Sequence, residues 1–217
     1  MSGDGSHREA AGSSPPARRR LPERQIVLHI TLRHITPQIW RRVRVPGHFT
    51  LEQLHRVIQL VFSWLDYHLY EFQSGSRRFL RPESELEGEN AVVVTLASLK
   101  LKESARLLYV YDMGDYWEHE VVVEEFMPMP DPNSFDWTPR LLDGQRAGPP
   151  EDVGGPPGYE RFLTALANPK HPEHAQLRDW APPHFDAERF DVQAVNHALT
   201  LTSAWGGGLT GVAGPRR

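Results

Sequence analysis

The sequence predicts an α+β fold. One domain places a mixed, mainly antiparallel sheet of hairpins against a long helix in its N-terminal half, and its C-terminal part is mainly helical. Three observations predict this. Two early segments alternate apolar and polar residues with a period of two, the mark of half-buried strands. The segment after them repeats its apolar residues at helical spacing. Further strand patterns then precede the later helical ones, an order that suits α+β rather than alternating, doubly wound architectures.

Residues 1–22 are rich in Gly, Ser, Pro and Arg and read as a tail with too little apolar content to order. The domain is expected over residues 23–201, with a glycine-rich tail over 202–217. Gln25–Ile35 sets Ile26, Leu28, Ile30 and Leu32 against Val27, His29, Thr31 and Arg33, and Pro37 turns the chain. Ile39–Val45 puts Ile39, Val43 and Val45 on one face and Trp40, Arg42 and Arg44 on the other, which completes a hairpin. Thr50 and Gln53 form a capping-box pattern ahead of Leu51, Leu54, Val57, Ile58, Val61 and Phe62. His55 and Gln59 are expected toward the edge of that helix.

His68–Gln73 and Arg77–Leu80 read as short strands, and Ala91–Leu101 as a brief strand followed by a helical turn. Arg106–Tyr111 and Tyr116–Phe126 are the clearest later strands. Asp112–Asp115 forms the tight turn between them, with Gly114 expected to supply its positive φ. Met127–Pro139 carries four prolines and reads as an irregular excursion, and Gly148–Gly158 as a second breaker segment. Helices are expected over Gly158–Asn168 and near Pro172–Trp180 and Val192–Thr200.

The chain has 217 residues and no cysteine. That excludes disulfides, thiolate nucleophiles and cysteine-based zinc sites, and it suits a reducing compartment. No apolar run approaches the roughly 20 residues of a membrane span, and Met1–Arg20 lacks the apolar stretch of a secretory signal. A cytoplasmic protein without membrane partners is therefore expected. Residues 1–105 carry 15 Lys+Arg against 11 Asp+Glu, while residues 106–217 carry 9 against 17. This balance is unlike the dominant basic footprint of a nucleic-acid binder.

Chemistry concentrates in Asp112, Asp115, Glu118, His119 and Glu120. Strand alternation sends Glu118 and Glu120 one way and Trp117 and His119 the other. A carboxylate turn suits hard cations, and an imidazole adds the nitrogen donor that zinc or iron prefers. Asp112, Asp115 and His119 are thus the candidate metal ligands, His68 and the Glu151-Asp152 pair are further candidates if the fold brings them close, and a divalent metal is the cofactor they would take. The structural alternative weighs more heavily: the aspartates serve the turn itself, and Glu118 and Glu120 pair with Arg42 and Arg44 on a neighbouring strand. In Pro149–Gly155, two prolines, Glu151–Asp152 and two glycines fall together. That loop either leads acidic residues into a helix start or faces a groove beside the Asp112–Asp115 turn. Trp64-Leu65-Asp66-Tyr67-His68 adds aromatics, an acid and a histidine.

Several of these segments together resemble the plasmid pRiA4b ORF-3-like family. They are Ile39-Trp40-Arg41-Arg42, WLDYHLYEF from Trp64 to Phe72, YVYDMGDYWEHE from Tyr109 to Glu120, PPEDVGGPPG from Pro149 to Gly158, and FDAERFDVQAVNHAL from Phe185 to Leu199. The resemblance spans about Gln25 to Leu199. It implies a widespread bacterial α+β domain, found on plasmids and insertion elements as well as chromosomes, without an established activity. Many relatives carry cysteine near the positions of Leu141, Gly148 and Val153. A metal site built on those cysteines would be absent here.

Three functional readings follow. The first is a non-enzymatic binding module for a protein partner or small ligand, with a groove lined by Trp64, His68, Trp117, His119, Glu151 and Asp152. The second is a metal-dependent hydrolase using Asp112, Asp115 and His119, with Glu118 or Glu151 as general base. The third is a nucleic-acid accessory protein using Trp40, Arg42, Arg44 and the Arg18–Arg20 tail.

Overall fold

The computed structural model describes residues 24–84, 86–128 and 138–202. The 1–22 tail with Arg18–Arg20, the 202–217 tail beyond Thr202 and most of the Met127–Pro139 excursion lie outside the described residues.

The chain runs β1 (Arg24–Leu32), β2 (Ile39–Pro46), α1 (Leu51–Phe62), β3 (Tyr70–Ser74), β4 (Arg77–Leu80), β5 (Glu89–Asn90) and a 3-10 turn (Ala97–Leu99). It continues through β6 (Arg106–Tyr111), β7 (Trp117–Pro128), β8 (Arg140–Gln145), α2 (Gly155–Ala167), α3 (His174–Trp180) and α4 (Val192–Leu201). The strands form one eight-stranded sheet in the order β5-β4-β3-β6-β7-β1-β2-β8. All neighbours are antiparallel except the short β4–β5 pair.

Alternation sets the two faces. On β1, Ile26, Leu28, Ile30 and Leu32 point inward, as do Trp117, His119, Val121 and Val123 on β7. Helix α1 covers this face. Its Thr50 side chain accepts from the Gln53 amide, and the Gln53 side chain reaches back to the Thr50 N–H, so the capping box closes as predicted. Leu51, Leu54, Val57, Ile58 and Val61 are all fully buried beneath it, each contributing about 1.5–3 kcal/mol by its removal from water. Among the described residues no helix is long and apolar enough to cross a membrane.

Three local expectations are corrected. His55 and Gln59 sit inside rather than at the helix edge, since both are buried. Positive φ in the turn after β6 falls on Asp112 (58°) and on Tyr116 (57°), not on Gly114. Glu118 and Glu120 do not meet Arg42 and Arg44, because β1 lies between β2 and β7. Glu118 instead pairs with Arg33 and His34, Glu120 with Arg106, and Arg42 with Glu124 and Glu125. Strand β8 was not signalled by the sequence; it is an edge strand in which only Leu141 is buried.

Candidate functional site

Three segments meet at one end of the sheet: the 64–69 connection after α1, the 112–116 turn between β6 and β7, and the 149–155 loop before α2. Aromatic packing forms the floor. The Trp64 ring stacks on Tyr111 at 4.9 Å and lies 6.1 Å from Trp117. Trp64 and Trp117 are buried, so they support the site rather than line an open groove. The Trp64 indole N–H donates to the Pro149 carbonyl at 2.9 Å, which ties the first segment to the third.

Each acidic residue has a distinct task. Glu151 Oε1 accepts from the Leu65 amide at 2.8 Å and the Tyr111 hydroxyl at 3.0 Å. The nearby carboxylate pushes the Tyr111 hydroxyl up in pKa, although burial is the larger cause. Asp115 Oδ2 accepts from the Gly154 amide at 3.0 Å and so pins the 149–155 loop to the turn. Asp112 Oδ1 accepts from the Gly114 amide at 2.8 Å, as a turn aspartate does. Its second oxygen remains for other work.

That oxygen faces His68. The His68 Nε2 atom lies 3.6 Å from Asp112 Oδ2, 3.1 Å from Asp152 Oδ1 and 3.9 Å from Glu151 Oε2. It is shut off from solvent yet makes no hydrogen bond among the described residues. One donor atom from each of His68, Asp112 and Asp152 falls within 4.8 Å of the others. Asp66, Asp112, Tyr116 and Asp152 are four of the ten described non-glycine residues with positive φ. Such backbone costs about 1 kcal/mol or more per residue and collects where side chains must be aimed. The acidic turn and the Gly/Pro loop therefore form one place, and His68 joins them.

Several residues singled out from sequence lie elsewhere. His119 is fully buried in the core, edge-on to Phe62 at 4.8 Å and to Trp64 at 5.2 Å, with Nδ1 bonded to the Trp117 carbonyl. Burial pushes its imidazole pKa down to about 3. It lies in the core against Trp64, and among the described residues the ligand atoms that gather around Asp112 come from His68 and Asp152 rather than from His119. Glu118 is on the solvated face with Arg33 and His34. Trp40 stacks on His29 at 5.1 Å, Arg42 is neutralised by Glu124 and Glu125, and Arg44 lies half-buried opposite Val27 and Arg140. These three do not form a free basic face.

Two polar groupings escaped sequence reasoning. His55 Nε2 bonds Asp66 Oδ1 at 2.9 Å and its Nδ1 bonds the Tyr109 hydroxyl at 2.8 Å. Asp66 also receives Arg81, which reaches Glu52, itself bonded to the Tyr70 hydroxyl. This network latches the 64–69 segment to α1. Burial is the largest influence on His55 and lowers its pKa. The second grouping is Arg41, 1% exposed on the inward face of β2. It donates to the carbonyls of Val61, Trp40, Gln145 and Arg146, and its guanidinium lies between the Phe62 and Phe190 rings. Burial brings its pKa down to about 9. The available signal was an arginine at an inward strand position between Ile39 and Val43.

Comparison with known proteins adds lineage without a named activity. The model of the plasmid pRiA4b ORF-3-like protein family matches residues 24–194. An uncharacterised protein of Sinorhizobium fredii, y4hQ, is 35% identical over 184 residues, covering 82% of this chain and 92% of that protein. A crystal structure of a protein of unknown function from Methanosarcina mazei Go1 superimposes with a TM-score of 0.69 at 33% identity, covering 80% of this chain and 98% of that one. The chain belongs to the plasmid pRiA4b ORF-3-like family.

Proposed function

We propose that this chain is a binding module whose acidic cleft holds a divalent cation through His68, Asp112 and Asp152. One observation carries the reading. Among the described residues a solvent-excluded imidazole nitrogen makes no hydrogen bond, yet carboxylate oxygens stand 3.1 and 3.6 Å from it. Neighbouring ligands of a cation bound at about 2.1 Å lie about 3 Å apart. The donors are therefore spaced as ligands around a common point. A mixed nitrogen and oxygen set favours Mn²⁺, Fe²⁺ or Zn²⁺ over Ca²⁺.

Glu151 and Asp115 act as positioning groups in this reading, since their oxygens hold the loops that carry the ligands. The hydrolase reading keeps Glu151 as its base, with Oε2 at 3.9 Å from His68, and loses Glu118 and His119. The binding reading requires only the cation. A thermal-unfolding scan of chelator-stripped protein against Mn²⁺, Zn²⁺, Mg²⁺ and Ca²⁺ tests it. Saturation to about 100 times Kd adds roughly 2.7 kcal/mol, a rise of about 5–10 °C in midpoint at this size. No rise with any of the four ions would sink the proposal.

A further inference from the structure

A cavity of about 250 Å³ opens beside the cation cleft, between the 149–155 loop, α2 and α3. Asp152 belongs to its lining as well as to the cleft. Trp180 and Leu177 form its apolar side, and the buried Phe162 ring supports Trp180 from beneath, edge-to-face at 5.6 Å. Trp180 is 46% exposed, an unusual amount for an indole that already has an aromatic neighbour. Arg161 and Gln176 join Asp152 in the polar lining. Among the described residues the Arg161 guanidinium has a loose ion pair with Glu173, at 3.9 Å.

We infer that this cavity binds a small planar organic anion, a carboxylate or a phosphate ester of one or two rings. A cavity of about 150 Å³ takes benzene, so 250 Å³ takes a ring bearing an anionic group. The ring lies against the exposed indole of Trp180. Its charged group pairs with Arg161, whose planar fork suits carboxylate and phosphate oxygens. The sign follows from the same geometry. With a cation in the cleft, the Asp152 charge is neutralised at the cavity wall, and an anion enters without repulsion. Cation and anion then bind with positive coupling, which linkage makes reciprocal.

This inference rests on the cation-binding reading, and calorimetry of the full chain separates their failures. Indole-3-carboxylate, phenyl phosphate and, as the opposite-charge control, benzylamine are titrated into protein with and without saturating Zn²⁺. Both anions are expected to bind the Zn²⁺-loaded protein with Kd of about 1 mM or tighter, a fragment-sized affinity, while benzylamine does not bind. Omitting Zn²⁺ weakens the anions about fivefold or more. Arg161→Gln weakens them about tenfold to a hundredfold, and Arg161→Glu abolishes their binding. Both variants keep the wild-type melting temperature and still take up Zn²⁺, because Arg161 is a surface residue that holds no cation ligand in place. Zn²⁺ binding without anion binding overturns the cavity assignment, as do anions that bind Arg161→Gln as tightly as wild type. Arg161-dependent anion binding in a protein that takes up no Zn²⁺ overturns the cation reading and leaves the cavity assignment in place.

Discussion

Gly155→Ala tests the seam between the two acidic loops. Gly155 has φ +66°, and a Cβ built there would lie 2.4 Å from the Asp115 carbonyl oxygen, where ordinary contact begins at 3.4 Å. The obstructing atom is backbone, in a turn held by the Tyr116 amide on the Asp112 carbonyl at 2.7 Å. It cannot swing away as a side chain would. Left-handed backbone costs an alanine about 1–2 kcal/mol, and the overlap adds about 1–3 kcal/mol. The expected loss is thus about 2–5 kcal/mol, or roughly 5–15 °C in midpoint at this chain length. Gly75→Ala is the matched control, with φ +60° and nothing within 4 Å of its built Cβ. It carries only the backbone cost of about 1–2 kcal/mol. Chemical denaturation of the two variants gives the difference, and a Mn²⁺ titration at a temperature where both are folded gives the consequence for the cleft. Relief of the overlap must move the 149–155 loop away from the turn and carry Asp152 from His68. Mn²⁺ affinity should fall in Gly155→Ala and stay unchanged in Gly75→Ala. Equal stability and equal affinity for the two variants would refute the reasoning.

Three further outcomes are expected. In Glu151→Gln the retained Oε1 still accepts from Leu65 and Tyr111, so stability should stay within about 1 kcal/mol, while Mn²⁺ affinity drops because a negative charge is lost 3.9 Å from His68 Nε2; a large loss of stability would show that the charge, not the bond, holds the loop. Arg41→Met strands four carbonyl acceptors, two in buried and two in part-buried bonds, and should cost about 3–5 kcal/mol in urea denaturation, whereas a loss under about 1 kcal/mol would mean that the site repacks freely. His119 has a folded pKa pushed down to about 3, below the ordinary 6.5. The folded state therefore binds fewer protons, and stability falls as pH drops from about 6.5 towards 3 by up to about 1.4 kcal/mol per unit. His119→Leu should flatten that acid limb relative to wild type, and an unchanged pH slope would contradict it.

The elements legible in the sequence are those that one periodicity determines. The alternation of Ile26 to Leu32 and the capping box at Thr50 depend on local chemistry, and both are in place. Strand β8 was not legible because an edge strand with one buried residue carries almost no periodic signal. The partners of Glu118 were not legible because they depend on strand order, which places β1 beside β7. His119 shows a different failure. Its short sequence distance from Asp115 draws it into the ligand set, but the packing of its ring against Phe62 and Trp64 keeps it in the core. His68, with Glu151 and Asp152, is a further candidate in the sequence only on the condition that the fold brings them close. It is 44 residues from Asp112 and 84 from Asp152 in the chain, and only the pairing of β3 with β6 brings it to the turn.

The central claim is that His68 and two aspartates from separate loops hold one cation. Pulsed electron paramagnetic resonance of Mn²⁺ bound to chelator-stripped protein tests it most directly, because a coordinated imidazole nitrogen modulates the echo. The account predicts nitrogen modulation in the wild-type protein, its disappearance in His68→Gln, and its persistence in His119→Leu. Mn²⁺ that binds without nitrogen modulation, or modulation that survives His68→Gln, would contradict it.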